Sequence, residues 1–249
     1  MATSQHYLWA GGHLVLLVSA LRYIAAWVTL KSISPWWYKM GLLGGLLSYA
    51  IVCQKSLGVR IQYYKVIQIH RHVKQNPNLS VQFIKRALLD ENFQYLIVAF
   101  FWWSSSPVAI ALLPYMIFSL FHVLTFFRTT VMPRLLGSTS AVGGPQSHPL
   151  SKSLQVWVKS NYDPAMKLVA FIELFIFVRV AFGALTFHNS LLAPLVYGHF
   201  LRQRYYQSIF TRNALSITDE WVDTLVMRAG NPPTLVRALE TVRGAFFVE

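Results

Sequence analysis

The sequence predicts an all-α fold: a polytopic integral membrane protein of three helical hairpins, about six membrane segments, some short, with cytosolic amphipathic helices after them. Three observations predict it. Only 12% of the 249 residues are charged and 55% are hydrophobic, whereas soluble domains carry about 25% charged residues. The 36 residues from Asn92 to Phe127 contain no formally charged side chain, a length that would reach roughly 54 Å as one helix against a hydrocarbon core about 30 Å thick. Ser104-Ser105-Ser106-Pro107 interrupts that run near its middle, and proline removes a backbone donor while biasing the residue before it away from helix.

Taken in order, residues 1–54 are expected to form the first membrane hairpin. Leu8 to Leu30, interrupted only by Arg22, reads as a retained signal anchor. Ser34-Pro35 has the form of an N-cap followed by proline at the first helical position. Trp36, Trp37 and Tyr38 suit an interfacial aromatic belt. Met40 to Gln54 is uncharged but covers only about 22 Å. Residues 55–91 form a basic cytosolic or interfacial segment, since residues 1–89 hold ten Lys/Arg and no acid. Residues 92–127 are the central membrane hairpin, and 128–164 a flexible cytosolic linker, rich in Gly, Ser, Thr and Pro from Gly137 to Ser153. Asp163-Pro164 then reads as the cap of the next helix, and residues 165–201 as the third hairpin, with a turn at Asn189-Ser190. Basic residues at the outer ends of the three pairs place both termini in the cytosol, with Lys31 and Lys39 as exceptions.

The C-terminal segment, 202–249, differs, with six Arg against five acids. Ser216 is expected to cap a helix over 217–229, whose acids at its start and Arg228 at its end complement the helix dipole. Gly230-Asn231-Pro232 reads as a stop and restart. Leu235, Leu239, Val242 and Phe246 then share a stripe, widened by Phe247. Both helices are amphipathic and too short to span, suiting the membrane surface or the protein's own helices.

No catalytic, cofactor or metal set emerges. One cysteine, Cys53, excludes an internal disulfide and a cysteine cluster. His70-Arg71-His72 has no acid or cysteine beside it in sequence, and the serines at 104–106 lack a nucleophile-elbow context. Glycines 41, 44 and 45 suit close helix approach and not a phosphate loop. Nucleic-acid binding is not expected, because the aromatics sit in apolar spans. Arg22, Glu173 and Arg179 are intramembrane charges, costly and needing partners. Arg22 is a candidate partner for Glu173. Locking helices together is the favoured role, and a channel, transporter or its regulatory subunit using Glu173 and Arg179 is the alternative.

The run Arg86-Ala87-Leu88-Leu89-Asp90-Glu91-Asn92-Phe93-Gln94-Tyr95-Leu96 resembles the transmembrane protein 33 (Krüppel homologue 2) family, in its fungal pore-membrane-protein branch. So do Pro107-Val108, Leu113-Pro114, Phe118-Ser119-Leu120, Glu173-Leu174-Phe175 and Leu191-Leu192-Ala193-Pro194 with Tyr197, spread over roughly residues 55–240. The resemblance implies a non-enzymatic protein of the endoplasmic reticulum membrane and nuclear envelope, without cofactor. It implies roles in tubular reticulum organisation and in nuclear pore complex distribution and assembly. The partners it implies are the lipid bilayer, reticulon-type proteins, nuclear pore components and an import receptor. A curvature-binding C-terminal helix is also part of the family picture, and here it would fall on Trp221, Leu225, Leu235, Leu239, Val242, Phe246 and Phe247. The tail departs from that picture, with net charge +1 and no lysine-rich block, which speaks against the import receptor but not against apolar insertion.

Overall fold

A computed structural model of the chain describes residues 3–71, 86–135 and 149–246, with side chains except at 57–71, 242, 245 and 246. Among the described residues every regular element is helical. In chain order they are α1 (Ser4–Val28), α2 (Pro35–Arg71), α3 (Glu91–Ser104), α4 (Ala109–Leu135), α5 (Pro149–Leu185), α6 (Leu192–Gln207), α7 (Ile209–Arg228) and α8 (Pro233–Phe246). Two compact units result, Met1–Ile172 and Glu173–Glu249, divided within α5.

The expectation of about six membrane segments in three hairpins is overturned. Among the described residues three helices, α1, α4 and α5, are long and apolar enough to cross a bilayer. The reason is where the helices break. The uncharged run divides unequally: α3 has 14 residues, about 21 Å, while α4 continues past Phe127 to Leu135. α6 has 16 residues, about 24 Å. α2 has 37 residues but runs on into the basic block beyond Gln54, so its apolar part stays short.

In the first unit, Ser34-Pro35 opens α2 as expected, with Ser34 Oγ accepting from the Trp36 N–H at 3.2 Å. α2 runs antiparallel to α1 along a seam of small residues. A Cβ on Gly44 would stand 2.6 Å from the Gly12 carbonyl oxygen and 3.0 Å from the Leu16 nitrogen, so the backbones touch there, as glycines 41, 44 and 45 led one to expect. Ser48 Oγ donates to the Trp9 carbonyl across the seam at 2.9 Å. Of the expected aromatic belt, Trp36 is exposed but Tyr38 is wholly buried, its ring 5.4 Å from that of Tyr23.

Asp90 caps α3, accepting from the Asn92 and Phe93 N–H groups at 3.0 and 3.2 Å. Beyond the break before Pro107, Tyr115 of α4 donates to the Tyr95 carbonyl of α3 at 3.0 Å. Tyr49 of α2 stacks on Tyr95, centroids 5.8 Å apart. α1 meets α4 through His13 Nδ1 and Ser119 Oγ at 2.9 Å, and His6 and Tyr7 edge onto Phe126. The start of α1 and the far end of α4 therefore lie on one side of the unit. Near that end α4 widens into a π-helical turn, Phe127–Val131.

The second unit holds the end of α5 with α6, α7 and α8. Gly183 sits against Asn189 so closely that a Cβ there would collide with the amide group. A Cβ on Gly198 would lie 3.1 Å from the Phe177 ring, which lets α6 run back along α5. Pro164 lies inside α5, which begins at Pro149, so Asp163-Pro164 does not start a helix. In the turn before the proline, the Ser160 and Asn161 side chains donate back to the Trp157 carbonyl.

Candidate membrane and partner surface

The C-terminal helices form the surface to which the sequence points. Ser208, not Ser216, caps α7, its hydroxyl accepting from the Thr211 N–H at 3.3 Å. Thr211 and Ala214 are buried, and that packing carries the helix a further two turns toward its N-terminus. Asp219, Glu220 and Asp223 consequently sit in the middle of α7, where the helix dipole gives them little.

Two of those acids have a different task. α7 ends at Arg228, and the chain reverses through Gly230 (φ +81) and Asn231 (φ +53), glycine being at home in the left-handed region. α8 then returns along α7. Arg243 of α8 donates through Nε to Asp219 Oδ1 at 2.8 Å and through Nη2 to Asp223 Oδ1 at 2.6 Å. Its bonds to Asp223 and Asp219 push the guanidinium pKa further up. A groove of about 350 Å³ runs between the helices, lined by Asp223, Val226, Met227, Val236, Leu239 and Arg243.

The sequence-predicted surface residues do not gather on one face. Trp221 and Leu225 are 62% and 41% exposed. With Ile217, also exposed, they recur every fourth residue on the side of α7 opposite Asp219, Asp223 and Val226. Leu239 is half-buried in the groove and Leu235 is exposed at its own end of α8. Val242 and Phe246 lie on α8 with side chains outside the description, and Phe247 lies outside the described residues. Ile217 and the Arg243 clamp were missed by sequence reasoning. The available signals were two acids four residues apart on one helix and an arginine a hairpin's length later.

The intramembrane charges separate as well. Glu173 is wholly buried, and the positive charge against it is Arg204 of α6, Nε to Oε2 at 3.6 Å, not Arg22. Tyr197 is buried in the same unit. Arg22 stands over the Trp37 ring at 5.5 Å, and Arg179 is exposed. No group of three or more His, Cys, Asp or Glu that could hold a metal occurs among the described residues. Of the His70-Arg71-His72 triplet, the first two have undescribed side chains and His72 lies outside the described residues.

Comparison with known proteins decides the family. The family model described as Transmembrane protein 33/Nucleoporin POM33 matches residues 1–247. The chain belongs to that family. It is 29% identical to "Nucleoporin POM33" of Chaetomium thermophilum, over 98% of this chain and 85% of that protein. To "Tetra-spanning protein 1" of Schizosaccharomyces pombe it is 29% identical, over 95% of this chain and 81% of the other. To "Transmembrane protein 33" of Homo sapiens it is 30% identical, over 51% of this chain and 48% of the other. No solved structure matches. The Transmembrane protein 33/Nucleoporin POM33 family is one of non-enzymatic membrane proteins associated with the endoplasmic reticulum and nuclear envelope, and the match extends the resemblance through α1 and both C-terminal helices.

Proposed function

We propose that this protein shapes or senses curvature in endoplasmic reticulum and nuclear envelope membranes, supporting tubular reticulum organisation and nuclear pore complex distribution and assembly. The observation that carries this reading is the open apolar stripe of α7. Arg243 satisfies the acids on one side of the helix, and Ile217, Trp221 and Leu225 remain exposed on the other. A surface helix with one face apolar and the other charged lies in the plane of the membrane interface. Inserting into one leaflet only, it occupies area there that the opposite leaflet lacks, which favours positive curvature.

In this reading the Ser4 end of α1 and the Arg128 end of α4 face the cytosol, where basic flanks are retained. Nuclear pore components and reticulon-type proteins are the partners this placement suits. The buried Glu173–Arg204 pair supports a helix lock in place of the channel reading, since Glu173 is closed off from solvent.

Labelled full-length protein in giant vesicles with pulled nanotubes tests the proposal. Enrichment on the tube over the vesicle body is expected, falling to parity for Trp221→Glu/Leu225→Glu. Equal density on tube and body for the unaltered protein would reject a curvature function.

A further inference from the structure

Where α4 and α5 leave the membrane, cations collect that the curvature reading does not use. Arg128 is the first charge after 36 uncharged residues, and it lies in the π-helical turn of α4; such turns are rare and frequent at functional sites. Its Nη1 donates to Gln155 Oε1 of α5 at 3.4 Å. Lys152 and Lys159, one turn before and one turn after Gln155, flank that contact on α5 and are exposed. None of the three cations makes an ion pair among the described residues, including Lys159 with Asp163 one turn away. On the membrane side of the contact, Phe121 of α4 stacks on Trp157 and meets Tyr162 edge-on, at 6.3 and 5.7 Å. Phe127 and Val156 are exposed beside the cations, at 41% and 59%.

We propose that Arg128, Lys152 and Lys159 form a headgroup site for an anionic membrane lipid. Arg128 meets a neutral amide instead of a carboxylate, so its charge stays uncompensated and its remaining N–H donors are available to phosphate oxygens. Gln155 holds the guanidinium against α5, the helix on which Lys152 and Lys159 flank the contact one turn to either side. The aromatic layer seals the helices beneath the headgroup, and Phe127 and Val156 give the acyl chains an apolar surface. An acidic peptide or nucleic acid would have no use for that apolar flank, and a free phosphate would gain nothing from it. The site is independent of α7 and α8, so it stands or falls separately from the curvature proposal.

Native mass spectrometry of the full-length protein tests it, after exchange into micelles containing equal phosphatidylcholine and either phosphatidic acid or a phosphatidylinositol phosphate. A cation near the headgroup plane is worth about 1 kcal/mol, or about fivefold. Retention of anionic lipid over phosphatidylcholine should therefore exceed roughly tenfold. Lys152→Gln and Lys159→Gln, at exposed positions that leave folding intact, should each lower it about fivefold. Arg128→Gln should do the same, and Gln155→Ala, which removes no charge, should lower it a few-fold through loss of orientation. Unchanged retention in the lysine variants would overturn the site. So would an equal loss in Arg212→Gln/Arg228→Gln, which would reduce the effect to general charge. Displacement of the lipid by millimolar inositol phosphate would show that a free phosphate is the ligand and overturn the lipid assignment.

Discussion

The α1–α2 hairpin is closed by glycines and a serine, backbone against backbone, whereas the α7–α8 hairpin is closed by one arginine between two aspartates. In the first, the side chains that would normally make an interface have been removed from it. Large apolar residues are left pointing outward: Leu14, Val18 and Leu21 on α1, Leu43 and Leu47 on α2. That suits lipid, where burying apolar surface between helices brings no hydrophobic gain and close packing must do the work. In the second, charge holds the seam and an apolar stripe is again left outside, but only on one side. In the proposed reading, that asymmetry tells a helix lying on lipid from one packed among lipid-facing helices.

Breaking the two kinds of contact gives effects of different size. Glu173→Gln leaves Arg204 buried against a neutral amide. It should cost about 3–5 kcal/mol of stability, measured as loss of folded protein on heating in detergent, and the double change Glu173→Gln/Arg204→Met should recover part of it. Gly44→Ala forces the α1 and α2 backbones apart where no flexible side chain can yield. A loss of about 2 kcal/mol is expected, whereas Gly11→Ala, which meets nothing within 4 Å, should cost nothing by the same melting measurement. Arg243→Gln opens a partly exposed clamp, so its effect is local: amide exchange in α8 should accelerate about fivefold, with the melting of the first unit unchanged. The smallest change is a gain. Leu30 holds φ +54 at the end of α1 with its side chain 94% exposed. Leu30→Gly should relieve that strain for a net stabilisation of about 0.5 kcal/mol.

Features set by short-range chemistry were legible in the sequence. The break before Pro107, the Ser34-Pro35 helix start, the glycine seam and the Gly230-Asn231 reversal each depend on a few adjacent residues, and each is found. The resemblance around Asp90-Glu91 rested on order and spacing along the chain, and the family match confirms it. What was misread depended on residues far apart. Six segments were inferred from apolar runs, yet a helix crosses only if the run and the helix coincide, and the break after Ser104 left α3 short. Ser216 looked like a cap because acids follow it, but buried Thr211 and Ala214 extend α7 back to Ser208. Arg22 was chosen for Glu173 because both lie within apolar runs. Arg204 was overlooked because it sits in a basic cluster that reads as solvent-facing, although the fold buries it to 5% exposure.

The central claim is that α7 meets the membrane with its Ile217–Trp221–Leu225 side while the outer face of α8 stays in water. Spin labels on single cysteines test this directly in the full-length protein reconstituted in vesicles, with Cys53 replaced by serine. Labels at Ile217, Trp221 and Leu225 should be accessible to oxygen and shielded from a water-soluble nickel chelate. Labels at Arg237 and Thr241, on the far side of α8, should show the reverse. Equal chelate accessibility at all five positions would contradict the account, because the exposed stripe would then face solvent and could not press on one leaflet.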